Sequence, residues 1–434
     1  MKRLLTMLFV GTVISFFYFP VGFTFMPASL QTKIMLAALG VAIAGVKALS
    51  GHVLKCPKSV FWAGVIAFIF GLSCYLSINI SGTDDMTFVT YPVSFFTWMF
   101  GAYAAVAVAR GVLGHFTLRD LTDYLAGICV VQCALALMID NIPAFQAAVD
   151  SVIIGTDFMK SIDRMYGIGC GLDTGGIHFA VTLILMAHRM SRGERDYLTS
   201  RQLNLYIFSF IIITAVGCMI ARTTITGTVI GLAYLLYREG ISIVVSKSQL
   251  NFYGSLILIV AIAVAVSVVL YNSSPEARHN LRFAFEGFFN WAETGTFRTD
   301  STDKLNNVMW IWPENLHDWI WGTGIFGNWF YSTDIGYCRY ILYCGLVGFS
   351  IFSFFFVYNS YAFAKKFDNT WLLALCLLTL CFVVWVKVAT DLLFIYALAY
   401  SLDVENEEEE CEDEFVDEVE CEEEPLMLSY ENRL

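Results

Sequence analysis

The sequence predicts an all-α polytopic membrane protein of about twelve transmembrane helices followed by an acidic tail. Three observations carry this reading. Of 434 residues, 57% are hydrophobic and 16% aromatic while only 15% are charged, against about 25% charged in an ordinary soluble protein. The apolar residues fall in continuous runs, not in the short alternating segments of a β-barrel porin. The net charge of −12 is local, because Asp403 to Leu434 holds 16 acids and one base, leaving 25 bases against 22 acids elsewhere. With a mean hydropathy of +0.65, such a chain is neither a soluble enzyme nor a nucleic-acid binder.

A membrane-crossing helix needs about 20 mostly apolar residues. Such runs occupy approximately 4–24, 30–49, 60–80, 88–109, 121–140, 173–188, 204–221, 223–237, 252–271, 335–358, 370–386 and 388–402. The sixth, eighth and twelfth are short, so eleven or twelve crossings fit. The first follows Lys2 and Arg3 with no small-residue cleavage site after it, which reads as a retained helix and not a removed signal. Lysine and arginine placement sets orientation. With the N-terminus inside, 16 of the 26 basic residues fall in cytoplasmic segments. The others include Arg164, Arg222, Arg298 and Arg339, several of them next to apolar segments where a cation is costly.

Two outer segments are long, 141–172 and 272–334, and unstructured loops of that length are functional or disordered. The larger is too aromatic for disorder, with Trp291, Trp310, Trp312, Trp319, Trp321 and Trp329 making six of the ten tryptophans. These either anchor at the lipid interface or stack on sugar. Residues 1–402 thus form the transmembrane unit. The run ENEEEECEDEFVDEVECEEE inside 403–434 cannot bury a core and reads as a disordered cytoplasmic tail. The 12 cysteines lie mostly in apolar runs, with no CxxC and no histidine near a cysteine pair. They read as packing residues, not as a zinc site or disulfide framework.

Four constellations could carry chemistry. In ARTTITG, 221–227, Arg222 interrupts a hydrophobic hairpin with no carboxylate within a turn; either it snorkels or a ligand supplies its anion. In the large loop, Arg298 is followed by Asp300 and Asp303. There GTGIFG, 322–327, formally matches the dinucleotide fingerprint but neither follows a strand nor opens a helix of a βαβ unit, so no nucleotide is assigned. Its glycines instead let the loop turn close to membrane or ligand. Asp334, Tyr337 and Arg339 follow at the entrance to the tenth run, where Asp334 and Arg339 either pair or serve a ligand. RMYGIGCG, 164–171, adds Arg164 beside flexible backbone. Lys387 and Asp391, four apart, are expected to pair if they share one helical face, and to sit at the outer turn instead if a break falls between the last two runs. No GxxxxGK[ST], no HExxH and no intramembrane carboxylate series occurs. Asp84/Asp85 and Asp300/Asp303 lack a third ligand, so neither metal nor cofactor is assigned.

Fixed arginines beside the membrane suit a ligand with a doubly charged head and an apolar tail, because guanidinium stays protonated and binds phosphate oxygens bidentately. A lipid-linked diphosphate meets that description. If it carries a sugar, the natural reaction is glycosyl transfer: an acceptor hydroxyl attacks the anomeric carbon and the lipid diphosphate leaves. Cations stabilise the leaving group, and a carboxylate or histidine accepts the hydroxyl proton.

The order of an outer ART after the seventh run, a tryptophan-rich loop with Arg298, then P…WGTGIFG…STDIGYCRYILYCGLVG, resembles the Wzy-type polymerases of O-antigen and capsule repeat units, relatives of the O-antigen ligases. The topological resemblance covers about 1–402 and the motif resemblance about 160–348. It implies a GT-C-like, metal-independent, inverting glycosyltransferase of the bacterial inner membrane. Such an enzyme joins undecaprenyl-diphosphate-linked oligosaccharide units at the periplasmic face of the lipid bilayer, with a chain-length regulator protein as a candidate partner. By the resemblance, Arg222 and Arg298 hold the diphosphate, and Arg164, Arg339 and Tyr337 line the substrate path. The ligases have a histidine where this chain has Asp334; that departure favours a polymerase and makes Asp334 the candidate base, with His317 as substitute. The acidic tail has no counterpart in the family. Two rivals stay open: a ligase, differing only in acceptor, and a transporter or flippase, against which stands the lack of two matching halves.

This reading makes a topological prediction. On a cysteine-depleted background, a cysteine at Glu314 should react with an impermeant thiol reagent in intact cells, and one at Glu410 should not. Labelling at Glu410 would overturn the assigned orientation.

Overall fold

The computed structural model describes residues 2–51, 56–162, 164–239, 247–327 and 331–404. The acidic tail beyond 404, and with it the expectation of disorder, lies outside the described residues. Among those described there are helices and isolated β-bridges and no sheet. In chain order the helices are α1 (Lys2–Tyr18), α2 (Thr32–Leu49), α3 (Lys58–Ser81), α4 (Tyr91–Leu113), α5 (Leu118–Asn141), α6 (Pro143–Val152), α7 (Thr156–Ser161), α8 (Leu172–Met190) and α9 (Ser200–Ile220). They continue with α10 (Thr224–Glu239), α11 (Lys247–Ser273), α12 (Pro275–Ala284), α13 (Glu286–Thr294), α14 (Asp300–Lys304), α15 (Leu316–Trp321), α16 (Gly336–Lys366), α17 (Trp371–Val384) and α18 (Leu393–Ser401). Six of these, α2, α3, α4, α5, α9 and α16, are long and apolar enough to cross a bilayer. The chain is a multi-pass helical membrane protein.

Each of the twelve apolar runs overlaps a helix. The ends follow local chemistry: Thr117 with Asp120, and Thr199 with Gln202, form reciprocal capping boxes that start α5 and α9. The two long connecting segments, 141–172 and 272–334, are more ordered than their composition suggests. The first contains α6 and α7, and the second α12 to α15 and a π-helical turn at Leu305–Met309. None of these helices exceeds ten residues, too few for a helical period to stand out in the sequence.

Helix α8 sits at the centre: every residue from Phe179 to Met190 is buried. Shielded from lipid by its neighbours, it carries His178, Thr182, His188 and Arg189 without exposing them to hydrocarbon, which explains why its run reads as short. Close approach of α8 and α10 depends on Gly227, where a Cβ would stand 2.2 Å from the Cα of Ala180. Small residues at such crossings let helix backbones meet in membranes. The contact sets the N-terminus of α8 beside that of α10.

Two helices are interrupted. α16 breaks at Gly345 (φ 61°, ψ −175°). Freed carbonyls near the break are taken up by Thr323 N–H on Leu342 O (2.6 Å), Gly324 N–H on Tyr343 O (3.0 Å) and Ser77 Oγ on Tyr343 O (2.8 Å). Irregular backbone is tolerated at membrane depth when protein satisfies it this way. The GTGIFG segment is therefore a structural lash. Gly322 (φ 80°) leaves no room for a Cβ beside Tyr343 O, and the Asp85 carboxylate accepts from Phe326 N and Gly327 N at 2.8 and 2.7 Å. The second interruption separates the short α17 and α18. Its irregular segment 385–392 is held by buried Trp385, whose Nε1 donates to Thr390 O at 2.6 Å. At the far end, Lys366 Nζ closes α18 by donating to the carbonyls of Ala399, Tyr400 and Leu402 at 2.7–3.0 Å, a cation where a helix C-terminus favours one.

Gly227→Ala should overpack the α8–α10 crossing and lower stability by about 1–3 kcal/mol, read as an earlier thermal unfolding of the detergent-purified chain. Gly111→Ala, on α4 with nothing within 4 Å of its Cβ, is the control. Equal behaviour of the two variants would show that the crossing is not tightly packed.

Candidate functional site

At the end of the bundle that carries α6, α7 and α12–α15, a cavity of about 250 Å³ is lined by Arg164, Arg222, Lys304 and Lys387 and by the carboxylates of Asp173 and Asp334. These side chains come from five distant parts of the sequence. Arg222 occupies the three-residue turn between α9 and α10, and Arg164 follows α7. Asp173 is in the first turn of α8, Lys304 ends α14, Asp334 precedes α16, and Lys387 lies between α17 and α18. The cavity meets the N-termini of α8 and α10, whose dipoles favour an anion.

The charges are held by reciprocal contacts. Lys387 Nζ donates to Asp173 Oδ1 at 2.7 Å and lies 3.4 Å from Thr223 Oγ1, which donates to the same carboxylate oxygen. Arg222 pairs with Glu286, whose other oxygen accepts from Asp300 N at 2.8 Å. The guanidiniums of Arg222 and Arg164 both lie over the Phe283 ring, at 4.5 and 4.0 Å, a cation–π arrangement that holds two like charges near each other. Asp334 forms no hydrogen bond or ion pair with the described residues. Burial, and after it the charge of Asp173, pushes its carboxyl above the usual carboxylate range, against the opposing pull of Arg339, Lys304 and Lys387. Of the three non-glycine residues with positive φ among the described residues, Leu172 (φ 50°) lines the cavity and Ser332 (φ 52°) stands two residues before Asp334. Such strain costs about 1–3 kcal/mol and gathers at functional sites.

Three of the expected site residues, Arg164, Arg222 and Asp334, converge here. Four do not line this cavity. Arg298 is exposed and pairs with Asp303 at 3.1 Å. His317 is exposed on α15 and pairs with Asp318. Tyr337 Oη donates to Phe382 O at 2.9 Å, and Arg339 donates to Phe326 O at 2.9 Å with its guanidinium 3.8 Å over that ring. Both brace the start of α16. Asp334 and Arg339 form no ion pair, and Lys387 pairs with Asp173, not with Asp391. The segment 385–392 is not helical, so residues four apart do not share a face, and Asp391 accepts from Tyr91 Oη and Leu393 N instead. The sequence reading missed Asp173, Lys304, Glu286 and Phe283. Asp173 carries a usable signal, since it is an acid opening an apolar run immediately after the RMYGIGCG segment.

Beside the charged cavity a second opening, about 620 Å³ and almost wholly apolar, runs between α9, α10 and α11 under α12 and α13. Its walls include Phe210, Val268, Tyr271, Leu281, Phe285 and Phe289. The two spaces share α12, with Phe283 facing one and Leu281 the other. The tryptophans of the large segment are partly self-satisfied: Trp312 stacks on Trp310 and on Trp319 at centroid distances of 5.6 and 5.7 Å. Among the described residues no group of three or more His, Cys, Asp or Glu side chains could hold a metal ion. Comparison of the chain with protein-family models, with curated proteins and with solved structures gives no match.

Proposed function

We propose that this chain is a polysaccharide polymerase. In this reading it crosses the bacterial plasma membrane twelve times in a GT-C-like arrangement, with both termini in the cytoplasm. It joins undecaprenyl-diphosphate-linked oligosaccharide units at the outer face, as the Wzy-type resemblance implies. The observation that carries the reading is the pairing of a cation-lined cavity with an apolar groove across one short helix. A ligand with a charged head and a long apolar tail fits that pair, and neither space alone would ask for one.

The chemistry then follows from the residues. Arg222, Arg164, Lys304 and Lys387 hold the diphosphate, with the positive dipole ends of α8 and α10 beside it. The acceptor hydroxyl oxygen bonds to the anomeric carbon, the bond from that carbon to the diphosphate oxygen breaks, and the hydroxyl proton passes to Asp334. Attack opposite the leaving group inverts the anomeric centre. Four fixed cations supply the charge stabilisation that the leaving diphosphate requires, so added metal is not needed in this mechanism. Glu286 competes with the incoming diphosphate for Arg222.

Two outcomes test this with the purified chain and lipid-linked repeat units in detergent containing EDTA. Arg222→Gln should weaken binding of inorganic pyrophosphate and slow polymer formation about ten- to a hundredfold, the loss of one charge-assisted hydrogen bond. Glu286→Gln should tighten pyrophosphate binding, because the competing carboxylate is gone. If Arg222 and Glu286 serve only each other, both substitutions should instead lower thermal stability and leave pyrophosphate binding unchanged. Strict dependence of polymer formation on Mg²⁺ or Mn²⁺ would contradict the metal-free step.

The base assignment predicts a pH profile. Asp334 must be ionised to accept a proton, and its pKa is raised, so kcat/KM should fall as pH drops through that raised value. The acid limb should therefore lie above the value of about 3.9 for an exposed aspartate. Asp334→Asn should slow turnover by about 10²–10⁴-fold, remove that limb from the residual activity and leave pyrophosphate binding in place. An unchanged rate in Asp334→Asn would remove the assignment.

A further inference from the structure

Across Arg164 from the charged cavity lies another, of about 280 Å³, with a different chemistry. Its polar wall is built from Asp140, Gln146, Lys160, Arg164, Tyr166 and Asn280, and little apolar surface faces it. Four elements contribute: the end of α5, α6, α7 with the segment after it, and α12. They are locked together by polar contacts. Asn280 Nδ2 donates to Asp140 Oδ2 at 2.9 Å, joining α12 to α5. Tyr166 Oη donates to Asp150 Oδ1 at 2.8 Å, and Lys160 pairs with the other oxygen of Asp150. Desolvation opposes the ionised form of Asp150, yet hydrogen bonds from Lys160, Tyr166 and Thr156 hold its carboxyl below the usual range. The frame of this cavity is therefore charged and fixed.

Lys160, Arg164 and Asp140 line the wall, and Asp150 behind it pairs with Lys160, so two cations are set against two carboxylates. The wall offers no surplus for an anion and no apolar area for a lipid chain. What it presents is an alternation of amide, carboxylate, phenol and cationic groups, each able to donate to or accept from a hydroxyl. Several such groups around a small space suit a neutral polyol whose hydroxyls point in fixed directions. Arg164 is common to both cavities, so a ligand reaching from one to the other would pass along its guanidinium.

We propose that this cavity is a saccharide subsite, which takes a neutral sugar ring of the oligosaccharide while the charged cavity holds a diphosphate. Gln146 and Asn280 are its discriminating residues, because uncharged amides contribute to sugar recognition without contributing to anion binding. The assignment rests on the polymerase reading, and the two are separable by experiment.

Two probes are titrated into the detergent-purified full chain: inorganic pyrophosphate, and the free oligosaccharide released by mild acid from the lipid-linked pool of the source cells. The wild-type chain should bind both. Gln146→Leu and Asn280→Leu should each weaken oligosaccharide binding about tenfold or more and leave pyrophosphate binding within about twofold. Arg222→Gln should do the reverse. Retained pyrophosphate binding also certifies that a variant is folded. Should a leucine variant lose both probes, Gln146→Ala or Asn280→Ala decides by the same criterion. Unchanged oligosaccharide affinity in the Gln146 and Asn280 variants would overturn the subsite. So would a wild-type chain that binds pyrophosphate and no oligosaccharide; either result leaves the diphosphate reading standing. Failure of the wild-type chain to bind pyrophosphate would overturn that reading instead.

Discussion

A charge placed among the ends of apolar helices must be answered by another charge or by oriented dipoles, since leaving it unpaired in a poorly solvated place is costly. Much of this molecule is arranged around that requirement. Lys387 sits on the irregular segment between α17 and α18, and it reaches the Asp173 carboxylate at the start of α8. That contact ties the interrupted C-terminal pair to the central helix. Arg222 makes the matching contact with Glu286, which fastens α13 over the turn between α9 and α10. Remove the constraint, and nothing obliges five separated segments to meet at one cavity.

In the proposed reading the same charges receive a ligand as well as hold the cavity together. Arg222, Lys304 and Lys387 face Asp173, Asp334 and Glu286, and Arg164 is shared between this cavity and its neighbour. Asp334, the one carboxylate there with no hydrogen bond or ion pair to the described residues, has its pKa raised by burial. An entering diphosphate would displace Glu286 from Arg222 and meet two helix N-termini. Packing sets the stage for this: the close α8–α10 crossing at Gly227 puts Asp173 and Thr223 side by side, and strain at Leu172 is held by the surrounding helices.

Much of the helical layout was legible in the sequence because hydrocarbon demands long apolar runs, and each run overlaps a helix. The site was legible in part. Arg222 and Arg164 stood out because a guanidinium in an apolar hairpin or beside flexible backbone needs a reason, and Asp334 through the resemblance, which puts a histidine at that place in the ligases. Arg298, Tyr337 and Arg339 came from the family resemblance and His317 as a substitute base, and sequence alone does not say which way such a residue faces. Tyr337 and Arg339 turn toward Phe382 and Phe326, and Arg298 and His317 turn to acids close by in the chain. Lys387 was visible, and its partner was misassigned because a break at 385–392 removes the helical period on which an i, i+4 pairing depends. Lys304 and Glu286 lie in short helices with no apolar period, so only the folded chain reveals them.

In the proposed reading the charged cavity and the apolar groove beside it receive the head and tail of one ligand. A photoreactive polyprenyl diphosphate carrying a diazirine in its second isoprene unit tests that statement directly. After irradiation of the purified chain and peptide mass spectrometry, crosslinks should fall on α9, α11, α12 and α13 around Phe210, Tyr271, Leu281 and Phe289, and excess inorganic pyrophosphate should suppress them. Crosslinks spread evenly over the lipid-facing helices, or concentrated on α2 and α3 and insensitive to pyrophosphate, would contradict it.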